Sequence, residues 1–255
     1  MAAGVKHMSK VEMLLVLLAF ALLVVPGCAP QADQRGCSSA QAELENLKAE
    51  LQTTRTELEK ARNDLATAKA ATLEELLRQR RSVREYSEEP LTKEEVMKLL
   101  WAGQGITKPP RYRTAPSAGA LYPLELYVVV GNVTGLEPRV YKYDPVQNNV
   151  RLVKGGDVRQ ALAIAALAQS WVGEGAIDIV IAAVYDRTKV KYGERGERYV
   201  HMEVGHAAQN ICLQATALGL GLVTVGAFDD SSVAKVVGLA GDETPLYVIP
   251  VGRTK

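Results

Sequence analysis

The stretch Arg80-Arg81-Ser82-Val83-Arg84-Glu85-Tyr86 carries three arginines in five residues. It closes a segment, Leu73–Arg80, whose leucine spacing predicts a helix. Cations interact favourably with a helix C-terminus, but this explains one or two arginines better than three with a serine between them. The planar guanidinium group also suits bidentate contacts with phosphate. The stretch therefore predicts an anion-binding site at the start of a folded domain.

Three further segments have the composition of a ligand-binding surface. Ala115–Ala120 places Pro116 and Gly119 among small residues just before a predicted strand, and Gly219–Ala227 combines a helix end, a short strand and a glycine turn. Small residues allow backbone amides to approach a planar or anionic ligand closely. The chain then ends in a basic tail, Gly252–Lys255. Together with the arginines, these segments predict an anion pocket beside a flat, glycine-lined slot.

Residues 72–255 alternate between helical and strand patterns. The predicted helices are Leu73–Arg80, Thr92–Trp101 with a capping box from Thr92 to Glu95, Asp157–Ala168, Tyr199–Leu218 and Ser231–Val237. The predicted strands are Leu124–Val130, Val140–Tyr143, Val150–Val153, Ile177–Tyr185, Gly221–Val225 and Tyr247–Val251. Ile177–Tyr185 is almost entirely apolar, which predicts a central strand. The pattern indicates an α+β domain in which helices pack on a mixed sheet.

The first third of the chain has a different composition, with no aromatic residue from Ala21 to Glu85. Residues 1–28 have the pattern of a signal peptide: a basic start, an apolar run (Met13–Val25) too short to span a bilayer, and Cys28 after a glycine. The favoured interpretation is a lipoprotein lipidated at Cys28. The alternative is an uncleaved membrane anchor in which Cys28 is incidental. Both interpretations predict an exported protein tethered to a membrane of the cell envelope.

Residues 29–39 are predicted to be a polar spacer, and residues 40–71 a helical stalk without glycine, proline or aromatic residues. Leucines recur in the stalk every seven residues, which is the spacing of one coiled-coil seam position. They are Leu44, Leu51, Leu58 and Leu65. The second seam position is weak, so a marginal coiled coil and a lone solvated helix are alternative interpretations.

Composition and motif content argue against several functional classes. The 30 Lys+Arg residues are balanced by 29 Asp+Glu residues, unlike the strongly basic surface of a nucleic-acid-binding protein. The sequence has no P-loop, dinucleotide fingerprint or nucleophile elbow. His201 and His206 are five residues apart, so they lie about 140° apart on a helix, which disfavours a shared metal. Cys212 is expected to be a buried core residue.

The motif Arg-Arg-Ser-x-Arg-x-Tyr resembles the opening motif of the nitroreductase superfamily, whose members bind FMN. Later segments resemble one branch of it, the SagB-type azoline dehydrogenases. These segments are Pro116–Pro123, Lys191–Tyr199 and Glu203-x-Gly205-His206-x-x-Gln209-Asn210. The resemblance covers residues 73–255. It implies a mixed, largely antiparallel sheet flanked by helices, in an intertwined homodimer with two FMN sites at the subunit interface.

The resemblance also implies cofactor-binding residues in four segments. They are Arg80, Arg81, Ser82, Arg84, Pro116, Ser117, Ala118, Thr224, Val225, Gly226, Ala227 and Arg253. Arg80 and Arg84 match contacts to the phosphate or to flavin O2, and Arg253 matches a phosphate contact near the C-terminus. Pro116–Ala118 match a loop that reaches the flavin, in many members from the other subunit. Thr224–Ala227 match the segment near flavin N5.

Lys191 and Tyr192 match a catalytic pair that removes a proton as hydride passes to FMN. The alternative interpretation is an exposed lysine in a polar loop, Lys189–Arg198. The predicted function is an FMN-dependent oxidoreductase that dehydrogenates a small or peptide, azoline-like substrate and is reoxidised by O2 or a quinone. One alternative is an NAD(P)H-dependent nitro- or quinone reductase. The other is a catalytically idle binding or scaffold lipoprotein on a membrane.

Overall fold

The computed structural model describes residues 43–59 and 71–255. The chain divides into two compact units, Met1–Ala68 and Lys69–Lys255. The predicted signal peptide, the lipidated Cys28 and the spacer lie outside the described residues and stay predictions. Within the two described ranges, no helix combines the length and the apolar character needed to cross a membrane.

Residues 43–59 of the first unit form helix α1. Leu47, Leu51 and Leu58 are exposed along it. Intrahelical ion pairs join Lys48 to Glu45, at 2.9 Å between Nζ and Oε1, and Arg55 to Glu59. The coiled coil stays a prediction, since the structure describes a single chain.

The second unit is built on short and long strands that alternate with helices. Its strands are β1 (Leu91–Thr92), β2 (Ile106–Lys108), β3 (Tyr112–Arg113), β4 (Leu124–Val130), β5 (Val133–Thr134), β6 (Arg139–Asp144), β7 (Asn149–Gly155), β8 (Ile177–Ala183), β9 (Leu220–Leu222) and β10 (Thr244–Arg253). Its helices are α2 (Leu73–Gln79), α3 (Lys93–Gln104), α4 (Arg159–Ala165), α5 (Trp171–Glu174), α6 (Asp186–Tyr192), α7 (Arg195–Ala217) and α8 (Asp230–Val237).

The main sheet has six strands in the order β7-β6-β4-β8-β10-β9, and each neighbouring pair is antiparallel. In residues 71–255, parallel pairing occurs only between β1 and β5 and at a single bridge from Ser82 to Leu222. The expected α+β fold with a largely antiparallel sheet is therefore confirmed. Strand β8 is central, as its apolar sequence predicts, and all seven of its residues are buried.

Helices cover both faces of this sheet, which gives three layers. On one face, Ile179 of β8 packs in a cluster with residues of α3 and α7, including Leu99 and Ile211. On the other face, Val180 packs with residues of α4, α5 and α8, including Leu162. Burying one such side chain contributes about 1.5–3 kcal/mol.

Several predicted boundaries differ from the structure, and two of the differences have a clear physical reason. The polar run Lys189–Arg198, read as a loop, belongs mostly to α6 and to the first turn of α7, which begins four residues before the predicted Tyr199. Both helices are exposed there, so they lack the apolar period that predicts a helix. Helix α4 ends at Ala165, short of the predicted Ala168, because Leu167 and Ala168 adopt left-handed backbone conformations with φ of 58°. The two- and three-residue strands β1, β2, β3 and β5 are too short to produce a detectable alternation.

Candidate functional site

The arginine stretch lies along the edge of the main sheet. After α2 ends, the Val83 amide donates a 2.9 Å hydrogen bond to the Leu222 carbonyl of β9. Tyr86 forms an antiparallel bridge with Thr254, and the Ser87 amide donates to the Arg253 carbonyl at 2.9 Å. The backbone therefore joins the start of the domain, β9 and the C-terminal strand at one place, as the sequence predicts.

Two glycines allow this close approach. A Cβ on Gly221 of β9 would lie 2.7 Å from the Val83 side chain, and a Cβ on Gly252 would lie 2.9 Å from Tyr86. Both distances are shorter than any stable carbon–carbon contact, so a side chain at either position would push the arginine stretch off the sheet.

The three arginines have different surroundings. The Nη1 group of Arg81 donates to the carbonyls of Arg78 and Arg80, at 2.7 and 2.8 Å, and so caps the end of α2. Arg84 is exposed and lies over the Trp171 ring, 5.5 Å from its centroid. Arg80 is half-buried near Cys212, where burial raises the pKa of the thiol and the arginine charge opposes that rise. The helix-capping interpretation therefore explains Arg81, and it does not explain Arg80 or Arg84.

Arg253 is held by carboxylates. Its Nη2 lies 2.9 Å from Glu95 Oε1, and its Nε lies 3.5 Å from Glu89 Oε1. Burial opposes ionisation of Glu95, but hydrogen bonds from Thr92 and the charge of Arg253 hold the pKa of this carboxyl below its usual range. The structure thus brings Arg253 to the predicted site by its backbone, while its guanidinium group is engaged within the chain.

Thr224–Ala227 follow β9 directly beside the arginine stretch. Val225 is buried and exchanges both backbone hydrogen bonds with Val248, at 2.8 and 3.0 Å. Thr224, Gly226 and Ala227 are exposed. A Cβ on Gly226 would meet only the Tyr247 ring, at 3.6 Å. This segment therefore presents open backbone shortly after Leu222, the residue that bridges to Ser82.

A second group of predicted residues lies around the loop Pro116–Ala118. Gly119, in the 3-10 turn that follows, has φ of 64°, and a Cβ there would lie 2.9 Å from the Tyr192 hydroxyl and 3.2 Å from Lys191 Nζ. Lys191 and Tyr192 therefore pack against this loop. Helix α6, which carries them, is fixed to the sheet by Arg187, whose Nη2 lies 2.6 Å from Glu125 Oε1 of β4.

The same loop covers a small cavity against α7. The cavity has a volume of about 260 Å³ and is lined by Pro116, Ser117, Ala118, Tyr199, Met202, Glu203 and His206. Tyr199 also meets Tyr192 edge to face, with ring centroids 5.0 Å apart. The cavity and the Lys191–Tyr192 pair are therefore neighbours across the loop.

Glu203 is the unusual residue of this cavity. Its side chain is 3% exposed, and its Oε1 has no hydrogen-bond partner among the described residues. Burial raises the pKa of this carboxyl to about 7, and the Ser117 hydroxyl and the charge of Arg113 oppose the rise. Sequence reasoning placed Glu203 in a motif without giving it a role. The sequence signal that could have identified Glu203 is an acidic residue among the apolar residues on the buried side of the predicted helix Tyr199–Leu218.

The two histidines of this helix have separate surroundings. His201 Nε2 lies 2.6 Å from the Tyr185 hydroxyl, whereas His206 lines the cavity. Among residues 43–59 and 71–255, no group of three His, Cys, Asp or Glu side chains is arranged to hold a metal ion.

Helix α7 separates the two groups of site residues. Arg80 lies near Cys212 and Ser117 lies near Glu203, which are nine residues apart on the helix. Nine residues correspond to about 13 Å along the axis and about half a turn around it. The arginine stretch and the Pro116–Ala118 loop of one chain therefore approach α7 at points about 13 Å apart along its axis.

Residues 77–253 match the Nitroreductase family. A protein from Methanocaldococcus jannaschii with a provisional nitroreductase name is 49% identical over 181 residues, covering 71% of this chain and 90% of that protein. The Escherichia coli microcin B17-processing protein McbC is 29% identical over 143 residues, covering 50% of this chain and 48% of that protein. A solved structure of the E. coli microcin synthetase McbBCD, with a truncated precursor bound, has a chain 27% identical with a TM-score of 0.60, covering 67% of each chain.

Proposed function

Because the chain belongs to the nitroreductase family, we propose that this oxidoreductase uses FMN and dehydrogenates a small or peptide, azoline-like substrate, as the SagB-type branch does. The observation that carries the proposal is the packing of Lys191 and Tyr192 against Gly119, beside the 260 Å³ cavity. In this proposal the substrate occupies the cavity side of the loop, and the electrons leave through O2 or a quinone.

The residues of the arginine stretch fit the chemistry of a bound flavin mononucleotide. Arg80 and Arg84 supply cations for its phosphate or its carbonyl edge, Ser82 supplies a hydroxyl, and Thr224–Ala227 supply exposed backbone. Bound FMN would supply a hydride acceptor, whose reduced form is stabilised by nearby cations. Arg253 joins this set only by sharing its guanidinium group between Glu95 and the phosphate.

The geometry of α7 supports a homodimer as the functional unit. Within one chain, the arginine stretch and the Pro116–Ala118 loop approach this helix at points about 13 Å apart along its axis. We therefore propose that each FMN site combines the arginine stretch of one subunit with the loop of its partner.

Lys191 and Tyr192 are proposed to take the proton that leaves the substrate carbon. Lys191 Nζ lies 5.3 Å from the centroid of the Tyr192 ring, and both groups reach the same side of Gly119. The loop orients this pair by contact, and Arg187 holds α6 in place through Glu125.

A reductase function is the second candidate, favoured by the relative from M. jannaschii with its nitroreductase name. The microcin-processing relative supports dehydrogenation of a peptide, although the chain spans about half of that protein's length. If the domain served only as a catalytically idle binding or scaffold protein, the cavity and the side chains of Arg80 and Arg84 would have no role.

Anaerobic mixing separates these candidates. The FMN-loaded protein should lose its oxidised flavin absorbance with a peptide that carries an azoline ring, and Lys191→Ala or Tyr192→Phe should slow this at least about tenfold, as loss of a positioned acid–base group does. Lys235→Ala, an exposed lysine on α8, is the matched control. Bleaching by NADH or NADPH alone would instead establish the reductase.

The location of the enzyme is also proposed from its sequence. We infer export and lipidation at Cys28, with residues 40–71 as a stalk. Cys28→Ser should release the protein from the membrane fraction into the soluble fraction, and retention on the membrane would contradict lipidation.

A further inference from the structure

We propose that Glu203 is a catalytic residue of the cavity, which donates a hydrogen bond from its neutral carboxyl group to an sp² nitrogen or carbonyl oxygen of the substrate. The substrate part of this assignment rests on the proposed dehydrogenase function. Glu203 itself is placed by geometry, because it lines the cavity floor opposite the Pro116–Ala118 loop and is almost completely buried.

The unpartnered Oε1 indicates a missing ligand. A buried polar atom without a hydrogen bond costs about 1–3 kcal/mol, so such atoms in folded proteins mostly have a partner. In the described residues Glu203 Oε1 has none. A substrate heteroatom in the cavity would supply that partner.

Burial favours the neutral form of Glu203, and the charged and polar groups around it oppose this. The elements packed against it contribute one cation, Arg113 of β3, and one hydroxyl, Ser117 of the loop. Its own helix contributes His206 and the aromatic Tyr199, and Lys191 and Tyr192 lie beyond Gly119. Arg113 is shared, because its Nη1 donates to Gln104 Oε1 at 2.6 Å and its guanidinium group stacks on Tyr122. Burial prevails over these groups and raises the pKa of Glu203 to about 7.

The other wall of the cavity fits a small, mostly apolar heterocycle. Pro116, Ala118, Tyr199 and Met202 present carbon atoms, and only Ser117, Glu203 and His206 are polar. The arrangement resembles the general device of a neutral carboxylic acid in an apolar site that donates a hydrogen bond to a developing negative charge.

In the proposed dehydrogenation, Glu203 gains and loses no proton. The Lys191–Tyr192 pair would take the proton from the substrate carbon, and a bound flavin would supply the acceptor for the hydride of the adjacent atom, so that a new double bond would form in the ring. The hydrogen bond from Glu203 strengthens as charge builds on the ring nitrogen or carbonyl oxygen, and Glu203 keeps its proton at the end.

Binding of the aromatic product tests the assignment without turnover. With thiazole-4-carboxamide as the probe, the full-length protein should bind about tenfold more weakly at pH 8 than at pH 6, which is the loss of one hydrogen bond. Glu203→Gln keeps a donor that cannot ionise, so its binding should not depend on pH over this range. Glu203→Leu should bind weakly at both pH values.

Two controls make the test specific. His206→Gln replaces the histidine of the cavity wall, and it should keep the pH dependence of the wild type. Glu94→Gln, on the exposed side of α3, should do the same. The infrared difference spectrum between pH 6 and pH 8 should show a carboxylic acid band that Glu203→Gln and Glu203→Leu remove and that both controls keep.

An unchanged pH dependence of binding in Glu203→Gln would overturn the assignment. If the wild type binds the thiazole with the expected pH dependence but never oxidises an azoline, the proposed function fails while the role of Glu203 as a donor stands.

Discussion

Arg84 is the side chain on which the proposed flavin site depends most directly. It is exposed and lies over Trp171, and within residues 71–255 no carboxylate lies at ion-pair distance from it. Its cation is therefore available to a phosphate or a flavin carbonyl, whereas Arg81 and Arg253 are engaged within the chain.

Arg84→Ala should weaken FMN binding about 10- to 100-fold while the protein stays folded, because a charge-assisted hydrogen bond contributes about 1.5–3 kcal/mol. Flavin absorbance per chain after gel filtration measures the loss, and circular dichroism reports the fold. Arg151→Ala removes an exposed arginine from β7 and should keep the flavin. Equal flavin retention in both variants would remove Arg84 from the site.

Asp178 is a carboxyl group in the centre of the main sheet. It is completely buried in β8 between Val129 and Pro250 on the neighbouring strands, and neither of its oxygens has a partner among the described residues. Burial raises the pKa of Asp178 well above its usual value, and the charge of Arg159 only partly opposes this. The folded protein therefore holds a proton here that the unfolded chain releases.

Asp178→Asn should flatten the dependence of stability on pH. A raised native pKa gives stability that is present below the unfolded pKa and is lost as pH rises through the native pKa, with a slope of at most about 1.4 kcal/mol per pH unit. Urea unfolding at pH 5 and pH 8 should show that the wild type loses more stability than Asp178→Asn. Asp242→Asn, an exposed control, should behave as the wild type does. An identical loss in all three proteins would show that Asp178 does not titrate.

At the residue scale, features that depend on neighbouring residues could be predicted from the sequence, and the burial of individual side chains could not. The arginine stretch and the capping residue Thr92 follow from neighbouring sequence alone. The roles of Glu203 and Asp178 depend on which side chains fold over them, and a carboxyl group gives no sequence sign of being buried and unpartnered.

Glu95 takes part in the capping box at the start of helix α3 and also forms an ion pair with Arg253. Thr92 Oγ1 accepts a hydrogen bond from the Glu95 amide at 3.2 Å, and Glu95 Oε2 accepts one from the Thr92 amide at 2.8 Å. The same Glu95 carboxylate holds Arg253 of β10. The cap therefore links α3 to the C-terminal strand.

Thr92→Ala should cost about 1 kcal/mol of unfolding free energy, since it removes an N-cap hydrogen bond. Thr72→Ala makes the same change at the capping box of α2, but α2 buries none of its residues, so the global unfolding midpoint should move less. Urea titration of the two variants provides the comparison. A larger effect at Thr72 would contradict this description of the two helices.

At the element scale, the buried helices and strands could be predicted, because the face of each that packs on the core must be apolar and this gives a periodic pattern in the sequence. Strand β8 and the buried part of α7 have this signature. Helix α6 does not, because it lies on the surface and is held by ion pairs such as Lys189 Nζ to Glu197 Oε1, at 3.0 Å. The position of Lys191 and Tyr192 on a helix was therefore missed.

The whole molecule is expected to act as a dimer, because α7 keeps the two halves of the site apart within one chain. The sequence predicts the dimer only through the resemblance of its motifs to the nitroreductase superfamily, and the separation of the two halves is seen only in the tertiary packing. The proposed coiled-coil stalk would support the same pairing.

Mixed dimers test whether the site is shared between subunits. Arg84→Ala and Ser117→Trp should each bind little FMN, but a heterodimer of the two, isolated with two different tags, contains one intact site. It should recover about half of the wild-type flavin, since one subunit supplies Arg84 and the other supplies Ser117. A heterodimer as empty as its parents would show that each chain builds its own site.

The absorbance spectrum of the purified full-length protein tests the central claim most directly. The account predicts a yellow protein with oxidised flavin bands, from which denaturation releases FMN nearly equimolar with the chain. A colourless, folded protein that takes up no added FMN would contradict it.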